Sequence, residues 1–218
     1  MPFRYRSPKV CWGEMADFLG DNLDCIRGER RVLSGLNFQI SDGEILVLTG
    51  KNGTGKSTLL RLMSGLLRPQ GGELSWDGES IAEDPSAHND RMTYVGHAEA
   101  VKPAMSVLEN VEFWRSVRTK PDKTAMDALA AVGIAHLANI PARYLSAGQK
   151  RRVALTRALT SGAKLWLLDE PTTALDVDAS TAFGATIQAH RQAGGMAVIS
   201  THTDLGLSDV RHLNLSPS

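Results

Sequence analysis

The nine-residue segment GKNGTGKST constrains the fold of this chain more than any other feature. It runs from Gly50 to Thr58 and places a lysine and two hydroxyl side chains directly after three closely spaced glycines. The segment before it, ILVLT at 45–49, is continuously apolar except at its end, as expected of a buried parallel strand. The apolar residues of KSTLLRLMSGLL, which follows, have helical spacing. The sequence therefore predicts a strand, a glycine loop and a helix, in that order.

This arrangement is typical of a phosphate-binding loop. Backbone N–H groups of such a loop and the amino end of the next helix can surround phosphate oxygens. Lys56 is expected to reach the β- and γ-phosphates of a nucleotide, while the hydroxyl of Ser57 binds Mg²⁺ with help from Thr58. A glycine-rich turn with an incidental lysine is the alternative, which the flanking strand and helix disfavour. The predicted nucleotide-binding residues are Gly50, Lys51, Asn52, Gly53, Thr54, Gly55, Lys56, Ser57 and Thr58.

Two adjacent carboxylates end a second apolar segment, LWLLDE at 165–170. Because side chains alternate between the faces of a strand, neighbouring carboxylates at its end can take different roles. We expect Asp169 to support Mg²⁺ and Glu170 to orient or deprotonate an attacking water. An isolated pair of this kind is more often solvated and caps a turn, and here the upstream phosphate loop favours the catalytic interpretation.

A third apolar segment, MAVIST at 196–201, leads directly to His202. Ligands of open α/β sheets bind at the carboxyl ends of the strands, so this histidine is a candidate sensor of the γ-phosphate. Phosphoryl transfer to water needs positioning and charge neutralisation, which the predicted set of Lys56, Mg²⁺, a carboxylate and His202 supplies. Considered alone, the histidine would be an ordinary polar residue.

Strand and helix patterns alternate along much of the chain, which predicts an α/β domain with a largely parallel sheet. Between Glu99 and Ser161, in contrast, all patterns are helical. Ser106 and Glu109 have the spacing of a capping box, and Ser146 is a candidate cap for the helix of SAGQKRRVALTRALT. A further helix is predicted for the alanine-rich segment KTAMDALAAVG. A helical insertion within an α/β core is therefore expected.

The composition argues against several classes of protein. Lysine and arginine total 24, as do aspartate and glutamate, so no overall charge attracts nucleic acid or an anionic membrane. Cys11 and Cys25 match neither a disulfide framework nor a metal site, and we expect both to be unreactive in a reducing cytosol. No apolar segment approaches the roughly 20 residues that cross a bilayer. We therefore expect a soluble chain without nucleic acid as a partner.

The octapeptide LSAGQKRR, Leu145 to Arg152, resembles the signature of ABC-type ATPases. It precedes LWLLDEP as in that family, TALD at 173–176 resembles the D-loop with Asp176, and His202 resembles the switch histidine. The resemblance implies an ABC-type P-loop domain with an N-terminal antiparallel β portion, a largely parallel core sheet and an inserted helical subdomain. We expect one domain, 1–218, with the core at about 1–97 and 162–218 and the helical subdomain at about 98–161.

The signature also has a physical interpretation of its own. Ser146 begins a helix whose free N–H groups and positive dipole end suit an anion, and Gly148 permits close backbone approach. A well-capped core helix is the alternative. In the resembled family two subunits pack head to tail around ATP, so a homodimer is expected in the ATP-bound state. The residues implied to contact the γ-phosphate held by the other subunit are Ser146, Ala147, Gly148 and Gln149.

Two departures from the family pattern stand out. His97 occupies the position at which ABC ATPases usually carry the Q-loop glutamine, although Mg²⁺ prefers oxygen ligands and a histidine would contact at most a metal-bound water. Many relatives stack an aromatic residue on adenine, but none lies between Asp21 and Phe38. A guanidinium plane can also stack on a ring, so Arg27 or Arg30 is the candidate substitute.

The segments YVGHAEAVK, SAGQKRRVALTRAL and LWLLDEPTTALD resemble the short ATPases of bacterial cytochrome c maturation. This resemblance implies a subunit at the cytoplasmic face of the inner membrane that powers haem export or delivery through CcmB- or CcmC-like membrane subunits. Apolar residues after His97 are candidate membrane-subunit anchors or, equally, core residues: Met105, Val107, Phe113 and Trp114.

Three alternatives remain. The ATPase of another ABC transporter, moving a lipid, lipoprotein, drug or metal chelate, would share every catalytic residue. A soluble ABC-type protein acting on DNA or ribosomes would need two cassettes or a long coiled coil, and the sequence contains neither. A P-loop kinase is disfavoured by LSAGQ.

Overall fold

Two β-sheets form the framework of the chain in the computed structural model, which describes residues 17–215. The strands are β1 Asp17–Arg27, β2 Arg30–Ser41, β3 Ile45–Thr49, β4 Gly71–Trp76, β5 Glu79–Ser80, β6 Met92–Val95, β7 Leu165–Asp169, β8 Met196–Ser200 and β9 Arg211–Asn214. The helices are α1 Lys56–Met63, α2 Pro85–Arg91, α3 Val107–Ser116, α4 Ala125–Ala131, α5 Ala147–Thr160 and α6 Val177–Gln192, with short 3₁₀ helices at Ala135–Leu137 and Ala142–Tyr144. Among these residues no helix is both long and apolar enough to span a membrane.

The larger sheet is wholly parallel and has the strand order β6-β7-β8-β3-β9. All residues of β7 and β8 are buried, because other elements cover both faces of the sheet. Since parallel strands end at the same edge, the segments that follow β6, β7, β8 and β3 lie side by side along that edge. The predicted α/β architecture with a largely parallel core sheet is confirmed.

The smaller sheet is antiparallel and has the order β2-β1-β4-β5. Its β1–β2 hairpin turns between Arg27 and Arg30. Phe18 of this sheet is fully buried in a core shared with α1 and with the parallel sheet. Cys25 belongs to the same core, where burial raises the pKa of its thiol and so disfavours the reactive thiolate. Cys11, also expected to be unreactive, lies outside the described residues.

The other face of the parallel sheet packs against α5 and α6, and a separate apolar cluster joins α3, α4 and the 3₁₀ helices. Helix α5 contributes to both clusters, through Leu155 to the first and Val153 to the second. Residues Val107 and Trp114 are buried in the helical cluster, which favours the core interpretation for both. Phe113, in contrast, is 40% exposed.

Local sequence signals account for the helix ends. Ser106 and Glu109 form the predicted capping box at α3, with Glu109 N donating to Ser106 Oγ at 3.2 Å and Ser106 N donating to Glu109 Oε2 at 2.7 Å.

Two strands end earlier than predicted, β7 at Asp169 and β8 at Ser200. Glu170 therefore lies outside the strand, so the argument from alternating faces is wrong for this residue.

Candidate nucleotide site

The glycine loop connects β3 to α1 and needs its glycines for conformational reasons. Gly50, Gly53 and Gly55 have φ angles of 135°, 81° and 106°, which side chains other than glycine rarely tolerate. A Cβ atom on Gly55 would also lie 2.7 Å from Cγ1 of Val32, so the β1–β2 hairpin packs directly against the loop. The loop is thus held in its curled form by both its own backbone and β2.

Lys56 is the first residue of α1, and its side chain turns back into the loop. It is 8% exposed, and its Nζ donates to the carbonyl oxygens of Gly50 at 2.7 Å and Lys51 at 3.3 Å. A buried ammonium needs hydrogen-bond acceptors in every state. Here the two carbonyl oxygens serve as acceptors for Lys56 Nζ, and phosphate oxygens of a bound nucleotide would compete with them for its N–H groups. The arrangement holds a positive charge ready for a phosphate chain.

Asp169 ends β7 as a buried carboxylate, 2% exposed, that is fully supplied with donors. Its Oδ1 accepts from Ser57 Oγ at 3.0 Å and from Ser200 Oγ at 2.7 Å, and its Oδ2 lies 3.5 Å from the Tyr94 hydroxyl. Burial, followed by the charge of Asp169, raises the pKa of Tyr94 and keeps the phenol protonated as a donor. Side chains from α1, β6 and β8 therefore hold the Asp169 carboxylate in place.

The oxygens of Ser57 and Asp169 are of the hard kind that Mg²⁺ prefers, and they are already adjacent. Within residues 17–215 no group of three or more histidine, cysteine, aspartate or glutamate side chains is arranged to hold a metal ion. Because Mg²⁺ is commonly held by one or two carboxylates together with substrate phosphates, a single carboxylate beside a hydroxyl and a phosphate loop fits this ion.

Glu170 and His202 approach the loop from β7 and β8. Glu170 has a φ of 49° and donates its N–H to the carbonyl oxygen and Oγ of Ser200, both at 3.0 Å. Nε2 of His202 lies 3.5 Å from Glu170 Oε1, 3.2 Å from Lys56 Nζ and 3.0 Å from Asn52 Oδ1. One ring nitrogen can either accept from the ammonium or donate to an oxygen. The histidine can therefore pair with either kind of neighbour, depending on its tautomer.

The signature lies at the amino end of α5 and forms a capping box that the sequence analysis only half predicted. Ser146 Oγ accepts from Gln149 N at 3.2 Å, and Gln149 Oε1 accepts from Ser146 N at 2.9 Å. An added Cβ on Gly148 would lie 2.5 Å from the carbonyl oxygen of Ala174, so the close backbone approach at this glycine is to the segment before Asp176.

Asp176 joins two helices near the signature. It caps α6 by accepting from Ala179 N at 2.8 Å, and its other carboxylate oxygen pairs with Arg152 of α5. Ser146 and Gly148 line a cleft of about 550 Å³ beside Ala174 and Asp176. No hydrogen bond among the described residues joins the signature to the phosphate loop of the same chain.

His97, Arg27 and Arg30 are all exposed. His97 follows β6 at the same edge, and across residues 17–215 its side chain has no hydrogen bond or ion pair. Arg27 and Arg30 face each other at the tip of the hairpin, and neither bonds to the phosphate loop. The hairpin contacts the loop through Val32 instead, a residue that the sequence analysis missed.

Arg151 was also missed, although it is 2% exposed and donates to four carbonyl oxygens at this edge. A signal was present: Ala154, Leu155 and Ala158 follow at helical spacing and mark the buried face of α5, on which Arg151 also lies.

Comparisons with known proteins agree with this geometry. The ABC transporter family model matches residues 33–173, more than half of the chain. The cytochrome c biogenesis ATP-binding export protein CcmA of Paramagnetospirillum magneticum is 48% identical over 202 residues, covering 91% of this chain and 93% of that protein. The protein of the same name from Rhodospirillum rubrum is 50% identical over 192 residues, covering 88% and 82%.

A solved structure, a putative ABC transporter ATP-binding protein from Pyrococcus furiosus, superposes with a TM-score of 0.78 at 26% identity, covering 91% of this chain and 97% of that chain. The predicted fold class, an α/β P-loop domain of ABC type with an antiparallel β portion and a helical insertion, is therefore confirmed. The chain belongs to the ABC transporter family, as an ATP-binding and ATP-hydrolysing subunit that resembles the CcmA proteins.

Proposed function

We propose that this ATPase powers cytochrome c maturation, by driving haem export or delivery from the cytoplasmic face of a bacterial inner membrane. The observation that carries the proposal is the 48–50% identity, over most of both chains, to two proteins named as ATP-binding export proteins of cytochrome c biogenesis. The segment YVGHAEAVK, which contains His97 and suggested the same system, is consistent with it.

At the nucleotide site, the loop from Gly50 to Thr58 binds the phosphates of ATP and Lys56 neutralises their charge. Glu170 orients the attacking water and takes up its proton, while His202 contacts the γ-phosphate. His202 Nε2 lies 3.2 Å from Lys56 Nζ and 3.5 Å from Glu170 Oε1, which supports a joint role for the three side chains. Mg²⁺, held by Ser57 and Asp169, would offset the charge of the phosphate oxygens.

The signature acts on a second copy of the chain. Ser146, Gly148 and Gln149 line an open cleft, and exposed Ala147 lies between them in the sequence. Among the described residues none of the four is hydrogen-bonded to the chain's own phosphate loop, which supports a contact in trans. The N–H groups at the start of α5 then face the γ-phosphate bound by the partner copy. Asp176 would lie beside the same interface. ATP thereby stabilises a homodimer, which hydrolysis loosens.

Membrane subunits of the CcmB or CcmC type are the proposed partners of the His97 segment, residues 97–116, which runs from His97 through helix α3. Phe113 supports this location because it is exposed and carries Lys102 Nζ 3.5 Å above its ring, whereas Val107 and Trp114 are buried. Met105 is half-buried and remains a candidate. Arg27, at the hairpin tip, is proposed to stack on adenine, with Arg30 as its alternate.

A complementation experiment tests the proposed function. A bacterium lacking its own ATPase of this system should regain haem-stained c-type cytochromes with the wild-type chain but not with Glu170→Gln or Lys56→Ala. The exposed-surface variant Glu83→Gln serves as the matched control and should restore maturation. Failure of the wild-type chain, expressed at a normal level and hydrolysing ATP, would contradict the assignment to cytochrome c maturation.

A second experiment identifies the partners directly. The Glu170→Gln variant, purified with ATP in mild detergent from its native membranes, should retain membrane subunits of cytochrome c maturation, as detected by mass spectrometry. An unrelated permease in their place would support an ATPase subunit of a transporter but contradict its assignment to cytochrome c maturation. Ribosomes or DNA would overturn the transporter assignment.

A further inference from the structure

The guanidinium of Arg151, in α5, joins two segments at the carboxyl edge of the parallel sheet, one after β6 and one after β7. Nη1 of Arg151 donates to the carbonyl oxygen of Gly96 at 2.7 Å, and Nη2 donates to those of Asp169 at 2.7 Å and Glu170 at 2.8 Å. Nε donates to the carbonyl oxygen of Pro171 at 3.1 Å. Five rigid donors in one plane make such a fourfold contact possible for arginine, whereas lysine cannot reproduce it.

The contacts at residues 169–171 come where the backbone leaves β7. Glu170 has a φ of 49°, a left-handed conformation that is strained for a residue with a side chain. Three consecutive carbonyl oxygens there accept from Arg151, and this fixes the direction in which the Glu170 side chain leaves the backbone. The guanidinium therefore holds the orientation of the carboxylate.

The contact with Gly96 reaches a different loop. Gly96 immediately precedes His97 at the end of β6, so Arg151 fixes the base of the His97 segment. Arg151 itself lies in α5, five residues after the signature cap Ser146, within one continuous helix. A displacement of the amino end of α5 would therefore shift the backbone at both Glu170 and His97, because the buried Arg151 side chain is bonded beside each of them.

We propose that Arg151 is a positioning residue that couples the signature helix to the Glu170 carboxylate and to the His97 segment. The inference rests on the role of Glu170 proposed above. Docking of the signature on a partner's nucleotide moves α5 as a rigid element, and the guanidinium carries that movement to the carboxylate that orients water. Nucleotide binding by the chain's own loop does not involve Arg151.

Arg118 is a matched control within the same chain. It also donates to four carbonyl oxygens, those of Ser161, Asn89, Asp90 and Met92, at 3.2, 3.1, 3.4 and 2.9 Å. These carbonyls lie beside the carboxyl end of α5 and the amino end of β6, whereas the Arg151 contacts lie near the amino end of α5 and the carboxyl end of β6. Arg118→Lys thus removes a comparable set of hydrogen bonds without touching the nucleotide edge.

The test compares Arg151→Lys, Arg151→Gln and Arg118→Lys by steady-state ATP hydrolysis, by affinity for a fluorescent ATP analogue and by thermal unfolding. Because misplacement of a catalytic group by about 1 Å can cost on the order of 100-fold in rate, we expect both Arg151 variants to lose about 10- to 100-fold in kcat with unchanged nucleotide affinity. Arg118→Lys should lower the unfolding temperature and retain kcat. A folded Arg151→Lys chain with wild-type kcat, or an equal loss of kcat in Arg118→Lys, would overturn the inference.

Hydrogen exchange supplies a measurement that needs no change at Arg151. In the Glu170→Gln variant, MgATP should slow amide exchange in segments 97–100 and 170–173 together, and slowing in only one of them contradicts the coupling. Normal hydrolysis by Glu170→Gln would instead show that the assignment of Glu170 had failed. The two failures are therefore distinguishable.

Discussion

Replacing Gly148 with alanine measures how closely α5 fits the segment that precedes Asp176. The added Cβ would lie 2.5 Å from the Ala174 carbonyl oxygen, whereas such contacts are essentially never shorter than 3.0 Å and ordinarily exceed 3.4 Å. One backbone must therefore move by about 0.5–0.9 Å to restore a normal van der Waals distance.

This movement reaches residues of the proposed dimer interface. Asp176 follows Ala174 by two positions, caps α6 and pairs with Arg152, so the displaced backbone carries both helices with it. Since about 1 Å of misplacement costs on the order of 100-fold in rate, the expected loss in kcat is about 10- to 100-fold. The free energy of unfolding should fall by about 1–3 kcal/mol, as for other overpacked sites.

Steady-state hydrolysis at saturating MgATP gives kcat, and titration with a fluorescent nucleotide should show unchanged affinity because the phosphate loop is untouched. Gly20→Ala is the control: its added methyl collides with the Phe38 ring in the antiparallel sheet, away from the signature. It should destabilise the fold and leave kcat intact. A Gly148→Ala chain that hydrolyses ATP at the wild-type rate would refute the argument, because the segment would then yield without consequence.

Three further predictions concern other residues. Lys56→Ala should abolish ATP binding in a titration, since it removes the cation held inside the loop, and unchanged affinity would contradict the phosphate assignment. His97→Gln should retain or increase hydrolysis by the isolated chain and alter its stimulation by membrane subunits, and loss of ATP binding would show that this segment was misplaced. Stability should decline as the pH falls below about 6.5, because burial lowers the pKa of His88, whose Nδ1 accepts from Trp76 Nε1. Below pH 6.5 the folded state then binds fewer protons than the unfolded state. The contribution of His88 to the free energy of unfolding is therefore complete above the pKa of the unfolded state and is lost as the pH falls towards the lower pKa of the folded state. In thermal unfolding at pH 5–8, His88→Gln should reduce this slope, and an unaltered slope would exclude His88 as its source.

Much of the fold was predictable because its signals are local. Segments 45–49, 165–169 and 196–200 are apolar runs, since each strand is covered on both faces, and the caps at Ser106 and Ser146 depend on residues three positions away. The phosphate loop and its flanking elements are likewise contained in one continuous segment.

What the sequence did not reveal depends on tertiary contacts. Helix α2 is seven residues long and polar, and its one buried side chain, His88, is fixed by Trp76 and by the Met63 carbonyl oxygen. The left-handed conformation of Glu170 is associated with contacts from Ser200 and Arg151, which lie 30 and 19 residues away in sequence. Helical spacing can mark the face of α5 on which Arg151 lies, but a single sequence does not show which distant backbone groups that side chain contacts.

Strand β9 has a consequence for how this protein can be shortened or fused. It pairs with β3 from Leu46 to Thr49, and Leu215 N donates to the Thr49 carbonyl oxygen at 3.0 Å. Without residues 211–215, β3 would become an edge strand with a row of unpaired backbone groups, immediately before the phosphate loop. Such an edge is a template for strand addition by other chains, so the truncated protein is expected to aggregate through the strand that carries its nucleotide site.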